Sequence, residues 1–480
     1  MTDDTELDKP DSIAVSITSL PLKEEDPWPK PQDTLRRSIE IEALTPIILN
    51  ARAPIVFGLD APWGAGKTTF VKLWEMYLKR EGYKSLYINA WENDFAEDPL
   101  VPILSSLDSW LSQEEPPTVI ASSWDKAKAI APAFTKTAAK VVVKAATLGS
   151  VDIEEDITPV VQVFADGAGE LAGNMVDQFA NQRTSIDKFK QLMGDALDVL
   201  PTNQNNLIVF IDELDRCRPL FAIELLERVK HIFDLDRIAF VLSTNRKQLG
   251  FALQGVYGGN FDGYAYLRRF IDIEYKLRKP SIKAYINSLF NFGPVKESLD
   301  ATGRTSANLS TVVEVVGLAA EKWDFSLREL NQMATRLSLA IRSSPKEGNF
   351  GPIVLSTLIV LQEKDPALYQ DLRRSLRKLD DALLSVFGYN SSSTSYPEHF
   401  PAIAGWLIAA TFDGYRGGAH KVCVEPWAER AKNLDQSLSP ALARQLSETV
   451  GIAQQGFTVG GSSSIHDAMD KIDLVTTLKL

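Results

Sequence analysis

Twelve consecutive residues, Gly58-Leu59-Asp60-Ala61-Pro62-Trp63-Gly64-Ala65-Gly66-Lys67-Thr68-Thr69, bring glycines, an amine and hydroxyls together at a spacing suited to phosphate. They follow the apolar, β-branched run Ile55-Val56-Phe57 and open into Phe70–Lys79, whose pattern is helical. Strand, glycine-bearing loop, Gly-Lys-Thr and helix N-terminus in that order make a P-loop, or Walker A motif. In such a loop successive backbone N–H groups curl around a polyphosphate, and the helix dipole adds positive potential at the same point. Pro62, Trp63, Gly64, Ala65, Gly66, Lys67, Thr68 and Thr69 form this cradle. Lys67 reaches toward the β- and γ-phosphates, and the Thr68 hydroxyl is the Mg²⁺ ligand. The first glycine of the usual pattern is here Ala61. Alanine there costs about 1 kcal/mol if φ must be positive, whereas the following Pro62 favours an extended Ala61 that alanine tolerates.

A second motif stands downstream. Leu207-Ile208-Val209-Phe210-Ile211 is continuously apolar, as a strand buried on both faces must be, and it ends in Asp212-Glu213, some 145 residues after Lys67. This is the position of the acidic Walker B motif. Asp212 is expected to hold Mg²⁺ through water and Glu213 to polarise the water that attacks the γ-phosphate. Two acids after a strand also make a good helix N-cap; the P-loop upstream is what favours chemistry. ATP and Mg²⁺ are the expected ligands.

Further polar residues are candidates around this pair. Asn245 ends the next apolar strand, Ile238–Leu242, where it either senses the γ-phosphate water or makes a turn. Arg268 and Arg269 stand in Tyr264-Ala265-Tyr266-Leu267-Arg268-Arg269-Phe270, placed to supply transition-state charge in cis or to a neighbouring subunit, or to lie on a surface helix. Arg328 starts a downstream helix and is either a second arginine that closes over the nucleotide if that domain docks or a solvated side chain. Trp63 either packs against the sheet edge or shields the phosphates.

The elements that must position these residues alternate. Strands Ile55–Phe57, Ser85–Asn89, Leu207–Ile211 and Ile238–Leu242 are separated by helical stretches and end in polar residues. That alternation predicts an α/β fold: a mostly parallel P-loop NTPase sheet with helices on both faces. A helix capped by Asp33 is expected through Leu49, and Pro219 starts one whose stripe is Ala222, Leu225, Leu226 and Val229. We divide the chain into an acidic mobile tail (1–29), the P-loop domain (30–280) with a helical insertion (104–200), a helical lid-like domain (281–345) and a C-terminal all-α region (346–480). Helical patterns fill the last two from Ile282 to Thr449, and the final twenty residues read as loosely held. Inside the insertion, Lys136, Lys140 and Lys144 line one face of an Ala/Val-rich stretch, Ala127–Leu148. That stretch is either an ordinary amphipathic element or a docking surface for a membrane or a partner.

Composition narrows the classes. A formal charge of −12 among 480 residues gives no general attraction to nucleic acid or anionic lipid. Cys217 and Cys423 are too few for a disulfide framework or a four-thiolate zinc site, which fits a reducing cytoplasm. His231, His399, His420 and His466 have no metal-ligand spacing. No secretory signal and no apolar run long enough to span a bilayer is visible.

With these residues in view, the chain resembles the KAP family of P-loop NTPases. Ala61-Pro62-Trp63-Gly64-Ala65-Gly66-Lys67-Thr68 is close to that family's G-x-W-G-x-G-K-[ST], and Ile211-Asp212-Glu213-Leu214-Asp215-Arg216-Cys217 looks like its D-[DE]-L-D-R-C signature. Ile88-Asn89-Ala90-Trp91 also matches, and Tyr266–Arg269 and Arg328–Asn331 fit more loosely. The resemblance covers roughly residues 30–340. It implies an ATPase of the additional-strand (AAA+/STAND-like) division, with a helical domain beyond the sheet. Relatives often carry transmembrane helices between the two nucleotide motifs, and bacterial members include a phage-excluding plasmid protein. Lysines 136, 140 and 144 interrupt the corresponding runs here, so this chain looks like a soluble version, cytoplasmic or peripheral at the inner face of the membrane. Three functional readings stay open: an ATP-hydrolysing conformational switch in antiphage defence or membrane-associated signalling, a non-hydrolysing nucleotide-dependent scaffold, and a nucleic-acid-dependent ATPase. A protein partner on the insertion or the C-terminal helices, and a homo-oligomer, go with the first.

Overall fold

The computed structural model describes residues 33, 35–51, 54–113, 118–131, 183–195, 197, 207–235, 237–302, 306–343, 351–411, 418–434, 439–459 and 465–477. The 1–29 tail and the Lys136, Lys140 and Lys144 face lie outside them. The described residues divide into two compact units, Arg36–Lys279 and the residues from Pro280 on.

In the first unit five strands, β1 (Ile55–Asp60), β2 (Lys84–Asn89), β3 (Leu207–Asp212), β4 (Ile238–Thr244) and β5 (Ile273–Lys276), form one sheet in the order β2-β3-β4-β1-β5. All four neighbouring pairs are parallel. β4 stands between the P-loop strand β1 and the acid-bearing strand β3, which is the additional strand that the resemblance implies. Every residue of β3 and β4 is buried, in keeping with their unbroken apolar sequences. The register sets Asp60 opposite Thr244, Asp212 opposite Ser243 and Asn89 opposite Asp212, so polar residues collect at the carboxyl ends of four strands. In open α/β sheets ligands bind at this end.

The edge strand β5 is absent from the sequence reading. Its short Ile-Glu-Tyr-Lys run is mostly exposed and carries no continuous apolar signal. Asp272 ties its start to β1, accepting from the Val56 N–H at 2.8 Å. At Gly58 a Cβ would stand 2.9 Å from Ile271 Cγ2, so the chain leading into β5 passes close over β1 there.

The helix after the loop, Lys67–Arg80, is fixed to the sheet by Trp74. This side chain is fully buried, with Phe57, Phe70 and Phe210 rings 6.0, 5.7 and 5.6 Å away. Such aromatic packing contributes about 0.5–1.5 kcal/mol per pair beyond area burial. Its indole N–H donates to Thr45 Oγ1 at 2.9 Å, so no donor is stranded in the core. Thr45 belongs to the first helix, Arg37–Asn50. That helix starts later than the Asp33 cap predicts: Arg36 sits at its N-terminus with φ 54°, and no side chain caps it. Helix Pro219–Ile232 buries Ala222, Leu225, Leu226 and Val229 as its stripe requires.

The second unit is all helical, and one apolar core runs through it from Ile286 to Val475. Two features differ from the sequence reading. The expected helices Pro366–Leu384 and Glu425–Thr449 are each interrupted, giving Pro366–Arg374 and Leu379–Phe387, then Gly418–Asn433 and Pro440–Val459. The final stretch is not loosely held: Ile465–Thr477 is a helix whose Ile465, Met469 and Ile472 are buried. Their i, i+4, i+7 spacing is an apolar stripe that the preceding glycines and serines mask. Tyr369 also donates to Asp473 at 3.0 Å, and Arg373 pairs with Asp470 and Asp473.

Candidate nucleotide site

The loop between β1 and the Lys67–Arg80 helix turns twice through positive φ, at Gly64 (78°) and Gly66 (86°), the two positions that retain glycine. Side chains other than glycine rarely adopt that backbone. Ala61 is not among the positive-φ residues, so the missing first glycine costs no backbone strain. Its N–H donates to the Thr244 carbonyl at 3.3 Å, continuing the ladder, and its side chain is buried. Gly66 is the N-cap and offers no side-chain acceptor to the first helical turn. The N–H groups of that turn remain available to an anion.

Lys67 is nearly buried, and its ammonium folds back onto the loop, donating to the carbonyls of Ala61 at 2.8 Å and Pro62 at 3.4 Å. Burial lowers its pKa, while the charges of Asp215, Asp212 and Asp60 oppose the shift. A phosphate would exchange two neutral carbonyl acceptors for an anionic one.

β3 delivers Asp212 fully buried. Its Oδ1 accepts from the Glu213 N–H at 2.9 Å and its Oδ2 from the Tyr87 hydroxyl at 3.3 Å. The two acids beside it help push the Tyr87 pKa up, although burial is the larger cause. Glu213 leaves the strand with φ 62°, an uncommon conformation for a residue with a Cβ. That turn lets its carboxylate ion-pair with Arg216 at 3.1 Å and face Asn89 Nδ2 at 3.5 Å. Asp215 receives the indole N–H of Trp63 at 2.5 Å, joining the P-loop to the turn after β3. Trp63 is half exposed, so it does not pack in the core.

The other expected residues divide. Asn245 lies at the end of β4, and its Oδ1 accepts from the Gln248 N–H at 3.3 Å, an N-cap for helix Arg246–Tyr257. Its neighbour Arg246 is buried; its backbone N–H donates to Asp60 at 2.9 Å and its guanidinium pairs with Glu274 under the Tyr264 ring. Arg268 and Arg269 are exposed, lie over Tyr264 and Tyr266, and precede the amino end of β5. Arg268 shares the Tyr264 ring with Arg246, whose backbone N–H is bonded to Asp60 at the carboxyl end of β1. Arg328 belongs to the second unit, exposed beside the Ser326–Glu329 capping box. Tyr87, Asn89, Asp60 and Arg246 were not singled out from sequence; a polar side chain at a strand's carboxyl end was the available signal.

The acidic set fits a hydrated divalent cation, because Asp215 Oδ1 is buried without a hydrogen-bond partner in the protein. Among the described residues no His/Cys/Asp/Glu group has the geometry of an all-protein metal cage. Mg²⁺ keeps its waters and is held by one or two protein groups plus phosphate.

A five-stranded parallel sheet with an extra strand between loop and acids, carrying this cradle, defines a P-loop NTPase domain. Residues 37–343 match the KAP family P-loop domain, and the chain belongs to that family. It is 25% identical over 244 residues to the phage T7 exclusion protein of Escherichia coli (strain K12), covering 49% of this chain and 31% of that protein. The chain therefore spans about a third of that relative's length. Among solved structures it is similar to the Aeropyrum pernix ORC2 protein in its ADPNP–ADP complexes, at 15% identity and a TM-score of 0.28, covering 88% of this chain and 94% of that one. Among the described residues no helix is long and apolar enough to cross a membrane.

Proposed function

We propose that this chain binds ATP with Mg²⁺ and hydrolyses it, using the cycle as a conformational switch. The observation that carries the reading is the register that sets β3 one strand away from β1's neighbour β4, so that Asp212-Glu213 and the Ala61–Thr69 loop end on one sheet edge. The loop's N–H groups and Lys67 hold the β- and γ-phosphates; Thr68 and Asp212 would hold Mg²⁺, which would supply charge neutralisation at the phosphates. Glu213 takes the proton of the attacking water, which requires it to leave Arg216. Asn245 keeps that water in line while capping its helix. Arg268 or Arg269 supplies transition-state charge, in cis or to a second copy of the chain.

The likeness to a protein named for excluding phage T7 supports a place in antiphage defence. The net charge of −12 speaks against a nucleic-acid-dependent ATPase. Competition of ATP and GTP for the full chain, with phosphate release followed in parallel, tests the proposal. Tight ATP binding with slow, Mg²⁺-dependent phosphate release is expected; binding without any release supports the scaffold, and no binding ends both readings.

A further inference from the structure

Three carboxylates, Asp212, Glu213 and Asp215, stand at and just beyond the end of β3, and they differ in their hydrogen-bond partners. Each oxygen of Asp212 accepts one hydrogen bond, from the Glu213 N–H and the Tyr87 hydroxyl. Glu213 is occupied by Arg216 and Asn89. Asp215 gives Oδ2 to Trp63, and its Oδ1 is buried with no partner. An unsatisfied buried acceptor costs about 1–3 kcal/mol, and more when charged, so such an atom is expected to have a partner in the working state.

We infer that Asp215 is a third acidic residue of the phosphate site. Its inward Oδ1 accepts a hydrogen bond from a water on the divalent cation that accompanies the nucleotide, and the Trp63 indole fixes the carboxylate's orientation. This rests on the nucleotide-site reading above. Asp215 is placed for it: of the charges that act on Lys67, that of Asp215 is the strongest, ahead of Asp212 and Asp60. The Lys67 ammonium donates to the carbonyls of Ala61 and Pro62 and makes no hydrogen bond to Asp215 Oδ1. Mg²⁺ gives up its waters reluctantly, and those waters are strong donors, so a single free carboxylate oxygen suits an outer-sphere contact. Trp63 is half exposed, and its bond to Asp215 spans 152 residues of sequence. A loop tip anchored in this way sets the carboxylate without help from the core. Asp215 is thus a positioning residue, acting through the cation's water.

Calorimetry with a non-hydrolysable ATP analogue, on the full chain in excess Mg²⁺ and in EDTA, tests this. In EDTA, Asp215→Asn should bind at least as tightly as wild type, because a negative charge leaves the neighbourhood of the phosphates. In Mg²⁺ it should lose about tenfold of the affinity that the cation adds, as outer-shell substitutions do. Trp63→Phe should lose about threefold in the same direction, and it carries the test if Asp215→Asn melts well below wild type. An equal loss with and without Mg²⁺, or an unchanged Mg²⁺ gain, overturns the assignment while leaving the nucleotide site standing. A wild type that binds no analogue overturns both.

Discussion

Lys67 donates to the carbonyl oxygen of Ala61 at 2.8 Å, so the loop's one lysine is turned onto the loop's own backbone. Its pKa is lowered chiefly by burial. Below the shifted pKa the folded protein carries a charge it disfavours, and this destabilisation is relieved as pH rises through the shifted value toward the ordinary 10.5. Lys67→Met should therefore leave the melting temperature of the empty protein unchanged or higher at neutral pH. The rise that ATP and Mg²⁺ produce in wild type should vanish. Thermal shift with and without nucleotide checks both halves; a normal nucleotide shift in the variant would contradict the assignment.

Ala61 stands where most P-loops carry glycine, yet its φ is not positive. Ala61→Gly should then gain nothing and lose about 0.4–1 kcal/mol through the freer unfolded chain. The melting temperature should fall by about 1–4 °C, with nucleotide affinity unchanged. A stabilised glycine variant would show that the alanine is strained.

Asn245 caps helix Arg246–Tyr257, which separates its structural role from its proposed catalytic one. Asn245→Ala should cost about 1 kcal/mol, and Asn245→Ser should restore most of it. Turnover should remain depressed in the serine variant, whose hydroxyl caps the helix but offers no amide to the water. Full activity in that variant would reduce Asn245 to a cap.

Met469 is fully buried in the final helix, with Tyr369 bonded to its carbonyl at 3.2 Å. Met469→Ala should destabilise the second unit by about 2–5 kcal/mol. Truncation after Ser464 should abolish its cooperative melting. Calorimetry that finds the truncated chain melting like wild type would contradict the packing described.

How much of this was legible beforehand follows from where the physics is local. β1, β3 and β4 announce themselves because strands buried on both faces must be apolar throughout, and the loop because backbone N–H groups need glycine at Gly64 and Gly66 to approach phosphate. β5 was missed because an edge strand half in water needs no apolar run. The Ile465–Thr477 helix was missed because its stripe is short and follows glycine and serine. Asp215, Trp63 and Arg216 stood in view within their motifs. Their pairing across the site depends on which strand lies beside which, and spacing along the chain does not carry that.

Glu213 is the proposed base for ATP hydrolysis. Phosphate release at saturating ATP and Mg²⁺, wild type beside Glu213→Gln, tests it most directly, with ATP affinity measured on the same samples. Glu213→Gln should bind ATP equally or more tightly and turn it over about 10²–10⁴-fold more slowly. Equal turnover by the two proteins would contradict that role.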